Sequence, residues 1–97
     1  GVAITIDPDT VPLLPGALEL ATNGTRSTIW ADNVAAIPNA APNTPREALL
    51  FDPPTSGGFL ATMPTDAAEK LAMDTDAVII GHCHAADTAA LIFQVAR

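Results

Sequence analysis

The sequence predicts an α+β fold, a mainly antiparallel sheet with helices packed on one face, and three observations lead there. Residues 1–7 alternate apolar Val2, Ile4 and Ile6 with Ala3, Thr5 and Asp7, the period of a half-buried strand. Near the other end, Ala77-Val78-Ile79-Ile80 and Ala90-Leu91-Ile92-Phe93-Gln94-Val95 are strand-like runs joined by a polar link, so an antiparallel hairpin is the economical pairing. The intervening chain carries helix punctuation, which gives the order β, α, irregular, α, β, α, β, β.

Each element has a local reason. Asp7-Pro8-Asp9-Thr10 turns the chain, and Val11-Pro12-Leu13-Leu14-Pro15 is held extended because a residue before proline avoids the α region. Pro15 at a first helical position suits a helix over residues 16–22, with Ala17, Leu18, Leu20 and Ala21 on the buried side and Asn23-Gly24 as its C-terminal stop. Residues 25–36 read as either a short helix or irregular chain. Residues 38–45 hold three prolines and read as loop. Thr44, Pro45 and Glu47 then supply a cap, an N1 proline and an N3 glutamate for a short helix that carries Ala48, Leu49 and Leu50 inward.

That helix runs into Asp52-Pro53-Pro54-Thr55-Ser56-Gly57-Gly58, a loop first stiffened by proline and then freed by glycine. Phe59-Leu60-Ala61-Thr62-Met63 reads as a strand. A helix over residues 66–73 follows, capped by Thr65, with Ala67, Ala68, Leu71 and Ala72 inside and Asp74-Thr75-Asp76 as its break.

The 97 residues make one domain, residues 1–97, at the small end of what can bury its own core. The abrupt apolar start reads as a cut inside a larger protein, with Gly1 a cloning remnant. With 48% apolar and 15% charged residues the chain is globular, and four aromatic residues leave a core of Leu, Ile, Val and Ala. A formal charge of −7, with only four basic residues, argues against binding to nucleic acid or to an anionic membrane. One cysteine allows no internal disulfide, which fits a reducing cytoplasm, and no apolar run approaches the length of a membrane span. Asn23-Gly24-Thr25 satisfies a glycosylation sequon but reads as a turn.

Few residues offer chemistry of their own. In a strand, His82 and His84 share one face and Cys83 takes the other, so at most two imidazoles could share a metal. A structural zinc site needs four ligands and a catalytic one three, so solvent-facing strand histidines are the better reading and no metal site is assigned. Cys83 lacks a base on its own face and reads as a passive thiol. Asp7 with Asp9, and Asp74 with Asp76, read as turn chemistry. No phosphate-binding glycine loop and no nucleophile elbow around Ser56 is present, so no residue is assigned a catalytic role.

Three segments together carry a resemblance: residues 11–19 with Leu13-Leu14-Pro15-Gly16, then Gly24-Thr25-Arg26, then Leu50-Phe51-Asp52-Pro53-Pro54-Thr55-Ser56-Gly57-Gly58-Phe59-Leu60. In order and spacing they resemble the C-terminal domain of selenophosphate synthetase (selenide, water dikinase), of the AIR synthase superfamily. Pro54 stands where that family usually has Gln, and its connection before the Thr-Arg pair is longer and richer in glycine.

The resemblance implies an AIR synthase C-terminal-domain-like fold. It also implies a cytoplasmic, homodimeric parent that uses ATP and Mg²⁺ to convert selenide to selenophosphate, releasing AMP and phosphate. The family's reactive Cys or selenocysteine, its Lys and most of its metal-binding Asp residues belong to an N-terminal ATP-binding domain with no counterpart here. This chain is then a non-catalytic part without a cofactor of its own, and Asp52, Thr55, Ser56, Gly57 and Gly58 form a loop facing the cleft between the two halves. The alternatives are a stand-alone module binding a small ligand or a protein at the Ser56-Gly57-Gly58 turn, or a fragment of another AIR synthase relative such as thiamine-phosphate kinase. The reading frame upstream of Val2 separates the first two.

Overall fold

A computed structural model describes residues 2–53, 58–86 and 92–95, the last four as backbone. The chain is mixed α+β, and it divides into two compact units, Gly1–Pro12 with Gly58–Arg97, and Leu13–Gly57.

The first unit is built on a three-stranded sheet. β1 (Val2–Ile6) is its central strand, β2 (Gly81–Ala85) lies on one side and β3 (Ile92–Val95) on the other. β2 pairs antiparallel to β1, with Thr5 opposite His82 and Ile6 opposite Gly81, whereas β3 pairs parallel to β1, with Ala3 opposite Ile92 and Thr5 opposite Gln94. The sheet is therefore half antiparallel and half parallel where a mainly antiparallel one is expected. β2 and β3 run in opposite directions, as a hairpin's strands do, but β1 is inserted between them. The physical reason lies in β1, whose Ala3 is buried to 1% exposure while every residue of β2 is exposed. The strand with the buried position takes the centre, where both its edges are hydrogen-bonded, and the polar His-Cys-His strand takes an edge.

Other details of this unit also differ from expectation. Residues 59–63 belong to no strand among the described residues, and residues 77–80 lead into β2 instead of forming it. Ile80 still contributes, since its carbonyl accepts from the Asp7 N–H at 2.8 Å and prolongs the β1–β2 pairing by a step. Within β1 it is Ala3 that is buried, and Val2 remains 46% exposed.

After β1, a 3₁₀ turn at Pro8–Thr10 is capped by Asp7, whose carboxylate accepts from the Asp9 N–H at 3.0 Å. The unit's α-helix, Thr65–Asp74, starts one residue earlier than expected: Pro64 occupies the cap position and Thr65 is already helical. None of its residues is buried, including Ala67 and Leu71 on the side expected to face inward, so the expected layer of helices over one sheet face is not a feature of this helix.

The second unit holds three short helices, α1 (Ala17–Thr22), α2 (Trp30–Ala35) and α3 (Pro45–Leu49); the Thr65–Asp74 helix is α4. α1 packs on α3, and each brings one buried alanine to the unit, Ala21 and Ala48, while Leu18 and Leu20 of α1 stay exposed at 37% and 56%. α1 opens with Gly16 at the cap in a left-handed conformation (φ 84°), so Pro15 precedes the helix and does not start it. It closes with a Schellman arrangement: the Thr25 N–H reaches the Leu20 carbonyl at 3.0 Å, the Gly24 N–H reaches Ala21 at 3.1 Å, and Gly24 holds φ 87°. Asn23-Gly24-Thr25 is thus a helix stop. α3 begins as its sequence requires, with Thr44 Oγ1 accepting from the Glu47 N–H at 3.1 Å and Pro45 at the first position.

Helices of five or six residues cannot persist on backbone hydrogen bonds alone, because nucleation consumes most of what so few bonds return. Here side chains complete the helix ends. The Trp30 indole Nε1–H donates to the Ala48 carbonyl at 2.8 Å, a carbonyl that also accepts from the Phe51 N–H at 3.2 Å, and Asn33 Nδ2 donates to the Phe51 carbonyl at 2.9 Å, so α2 is tied to the last turn of α3 and to the chain just after it. Arg26 donates to the Ala21 carbonyl at 3.0 Å and the Thr25 carbonyl at 2.8 Å, and its guanidinium lies 5.2 Å from the Trp30 ring centroid, a cation–π distance.

Candidate functional site

Residues 52–58 are the sequence's foremost candidate, and the structure describes their two ends. Asp52 follows α3, with its N–H on the Leu49 carbonyl at 3.2 Å and its carboxylate exposed; Pro53 is half-buried. Pro54, Thr55, Ser56 and Gly57 lie outside the described residues. At the far end Gly58 is exposed, has no left-handed φ, and a Cβ built there would meet nothing within 4 Å. Of the two uses of glycine, positive φ and close approach of another group, only the second remains open to Gly58. Asp52 belongs to the helical unit and Gly58 to the sheet unit.

The Gly24-Thr25-Arg26 segment has a defined role, and it is structural. Gly24 and Thr25 supply the Schellman bonds, while Arg26 places positive charge at the C-terminal end of α1, where the helix dipole favours it, and covers Trp30. The hydrogen bonds from Trp30 and Asn33 to α3 then fix the chain just ahead of Asp52.

The His-Cys-His triplet lies on β2, with both imidazoles on one face. The His82 and His84 ring centroids are 5.7 Å apart with 39° between the ring planes, and Thr5 Oγ1 of β1 is 3.1 Å from His84 Nε2. Cys83 alternates to the other face as an exposed free thiol. Thr5 is the partner that sequence reasoning missed. The signal was its position in an alternating strand, but which strand it would lie beside is a tertiary fact across 79 residues of chain.

The acidic pairs take up turn and helix-end roles. Asp7 caps the 3₁₀ turn and its carbonyl accepts from Thr10 Oγ1 at 2.8 Å, while Asp74 pairs with Lys70 at 3.2 Å along α4. Among the described residues no group of three or more His, Cys, Asp and Glu stands close enough to hold a metal ion. A wide, open depression of about 420 Å³ on α1 is lined by Leu18, Glu19, Thr22 and Asn23, a mainly apolar surface without convergent polar groups. No described helix is long and apolar enough to cross a membrane.

No family model, curated protein or solved structure matches the chain.

Proposed function

We propose that this chain is the C-terminal domain of a selenophosphate synthetase, an AIR-synthase-like half that lies beside an ATP-binding half in a cytoplasmic, homodimeric enzyme. In that enzyme ATP and Mg²⁺ convert selenide to selenophosphate with release of AMP and phosphate. The reading is supported by the Leu-Pro-Gly, Gly-Thr-Arg and Asp-Pro-Pro-Thr-Ser-Gly-Gly segments, in that order.

The structural observation that carries it is uncovered apolar surface directly after the last of these segments. Phe59 is 108% exposed and Leu60 61%, and Met63, Val78 and Ile79 of the same unit are exposed as well. Among the described residues the buried hydrophobic ones are Ala3, Ala21 and Ala48, and none of the large side chains described is fully buried. Burial of apolar area contributes roughly 25 cal/mol per Å², so large side chains left in water are positions where a second domain can supply stability. Gly58, open on the side where a Cβ would stand, lets a nucleotide or substrate approach the main chain at the edge of the cleft.

Phosphoryl transfer requires metal-bridged oxygens and positive groups at the transferring phosphate, and four basic residues in an acidic chain are too few to assemble them. The proposed role is therefore covering and positioning, with the chemistry left to the other half. Incubating the purified chain with ATP, Mg²⁺ and selenide and assaying AMP is expected to give no product above the enzyme-free rate, and adding the ATP-binding half encoded upstream is expected to give turnover. Robust selenide-dependent AMP formation by the 97-residue chain alone overturns the reading.

A further inference from the structure

We propose that His82 and His84, with Thr5 orienting the second ring, form a two-imidazole chelate on the exposed face of β2 for a borderline divalent transition metal ion, with water completing the coordination. The proposal is independent of the selenium-enzyme reading, and it concerns a site on the sheet unit alone.

Three features of the structure carry it. First, the strand periodicity puts both imidazoles on one face with one residue between them, and all of β2 is exposed, so a hydrated ion reaches them without any opening of the fold. Second, the spacing suits a shared ion. With metal–nitrogen bonds of about 2.0–2.1 Å and about 1.2 Å from nitrogen to ring centre, two rings on one ion have centroids about 4.5 Å apart at a right angle and about 6.4 Å apart in line. The observed 5.7 Å falls between these limits and corresponds to an angle of about 125° at a shared ion. Third, the hydroxyl of Thr5 stands 3.1 Å from His84 Nε2. In the tautomer that binds metal through Nδ1, Nε2–H donates to Thr5 Oγ1, a hydroxyl standing where a carboxylate, carbonyl or water usually orients a metal-ligating histidine.

The rest of the strand pairing supports the same geometry. Thr5 stands opposite His82 in the β1–β2 register, and Ala3 opposite His84, so the histidine at 84 has a small neighbour beside it and the threonine one step along. A two-ligand site has neither the four ligands of a structural zinc nor the three of a catalytic one, so it binds reversibly and leaves most of the coordination sphere to solvent. Imidazole nitrogen selects Cu²⁺, Ni²⁺ and Zn²⁺ over Mg²⁺ and Ca²⁺, which prefer oxygen, and the affinity order among the former follows the general series with Cu²⁺ tightest.

The test titrates Cu²⁺, Ni²⁺ and Zn²⁺ separately into the intact chain, by calorimetry and by imidazole NMR, with excess Mg²⁺ present. The expected result is one saturable site per chain, tightest for Cu²⁺, that shifts the resonances of both histidines and is not displaced by Mg²⁺. His82→Ala and His84→Ala are each expected to weaken binding at least about tenfold, on the scale on which loss of a ligand's support alone reduces metal affinity. Thr5→Val is expected to weaken it about tenfold and change the His84 tautomer seen by nitrogen NMR, with Thr5→Ser restoring both. Cys83→Ser is expected to leave binding unchanged. All these positions except Thr5 are exposed, and circular dichroism checks that each variant keeps its fold. Saturable binding that survives the double His82→Ala, His84→Ala change, in a chain with only two histidines, overturns the proposal. So does the absence of saturation at millimolar Cu²⁺.

Discussion

A Cβ at Gly81 would overlap the Thr5 carbonyl oxygen of the adjacent strand and crowd the backbone of Ile6. Side chains can rotate out of a clash and a ladder carbonyl cannot, so Gly81→Ala is expected to destabilise the chain by at least about 2 kcal/mol, the scale of overpacking against a fixed neighbour. Gly58→Ala is the control: with open space at the Cβ position and no left-handed φ, it is expected to be neutral or slightly stabilising. Chemical denaturation of the two variants against the parent chain checks both, and equal stability of the Gly81 variant would refute the strand pairing. Gly24 shows a different use of the same residue type, since its φ of 87° suits the left-handed position that closes α1, and there the constraint is conformational instead of steric.

At the scale of elements, the helices of the second unit depend on one another's ends. Trp30 is half-buried and its indole N–H is the link from α2 to the Ala48 carbonyl of α3. Trp30→Phe keeps most of the ring but removes the donor, and is expected to cost about 1 kcal/mol, the net worth of one hydrogen bond, since the Ala48 carbonyl keeps its bond from the Phe51 N–H. Thermal unfolding followed by far-ultraviolet circular dichroism reads the loss. Trp30→Leu removes in addition the aromatic face under Arg26 and is expected to cost more. The Lys70–Asp74 pair of α4 is a contrasting case, since its partners are 80% and 60% exposed and such pairs contribute little in water.

The elements that were legible in the sequence are those set by near neighbours. The Thr44-Pro45-Arg46-Glu47 start of α3, the Asn23-Gly24 stop of α1 and the Asp7 turn each rest on bonds reaching no more than five residues along the chain. Residues 59–63 and 77–80 have the same local preference for extension that β1 has, but a strand exists only where another edge accepts its hydrogen bonds, and local preference does not name that edge. The histidine face could be read from alternation, whereas its proximity to Thr5 could not. For residues 52–58 the sequence supplied a distinctive pattern, and the structure adds the setting of Asp52 after α3 and the open side of Gly58.

Over the whole chain, apolar composition and buried core do not match. The sequence is 48% apolar, yet the described residues bury alanines and leave Phe59, Leu60 and Met73 largely in water. Substituting an exposed apolar side chain removes no buried area, so Phe59→Ser is expected to change stability by no more than about 0.5 kcal/mol while reducing self-association. Sedimentation at rising concentration and denaturant midpoints measure the two effects. A large loss of stability in this variant would mean that Phe59 is covered within the chain, against the reading that it awaits a second domain.

By itself the sequence determined the mixed α+β class, the Thr44 cap of α3, the Asn23-Gly24 stop of α1, the acidic surface and the shared face of His82 and His84, because each follows from composition or from contacts a few residues apart. Only the tertiary structure decided that β1 would lie between β2 and β3, antiparallel to one and parallel to the other, and that Thr5 would reach His84. Strand order is settled by which strand gains most from two hydrogen-bonded edges, and that comparison involves segments about 80 residues apart, beyond the reach of any local pattern.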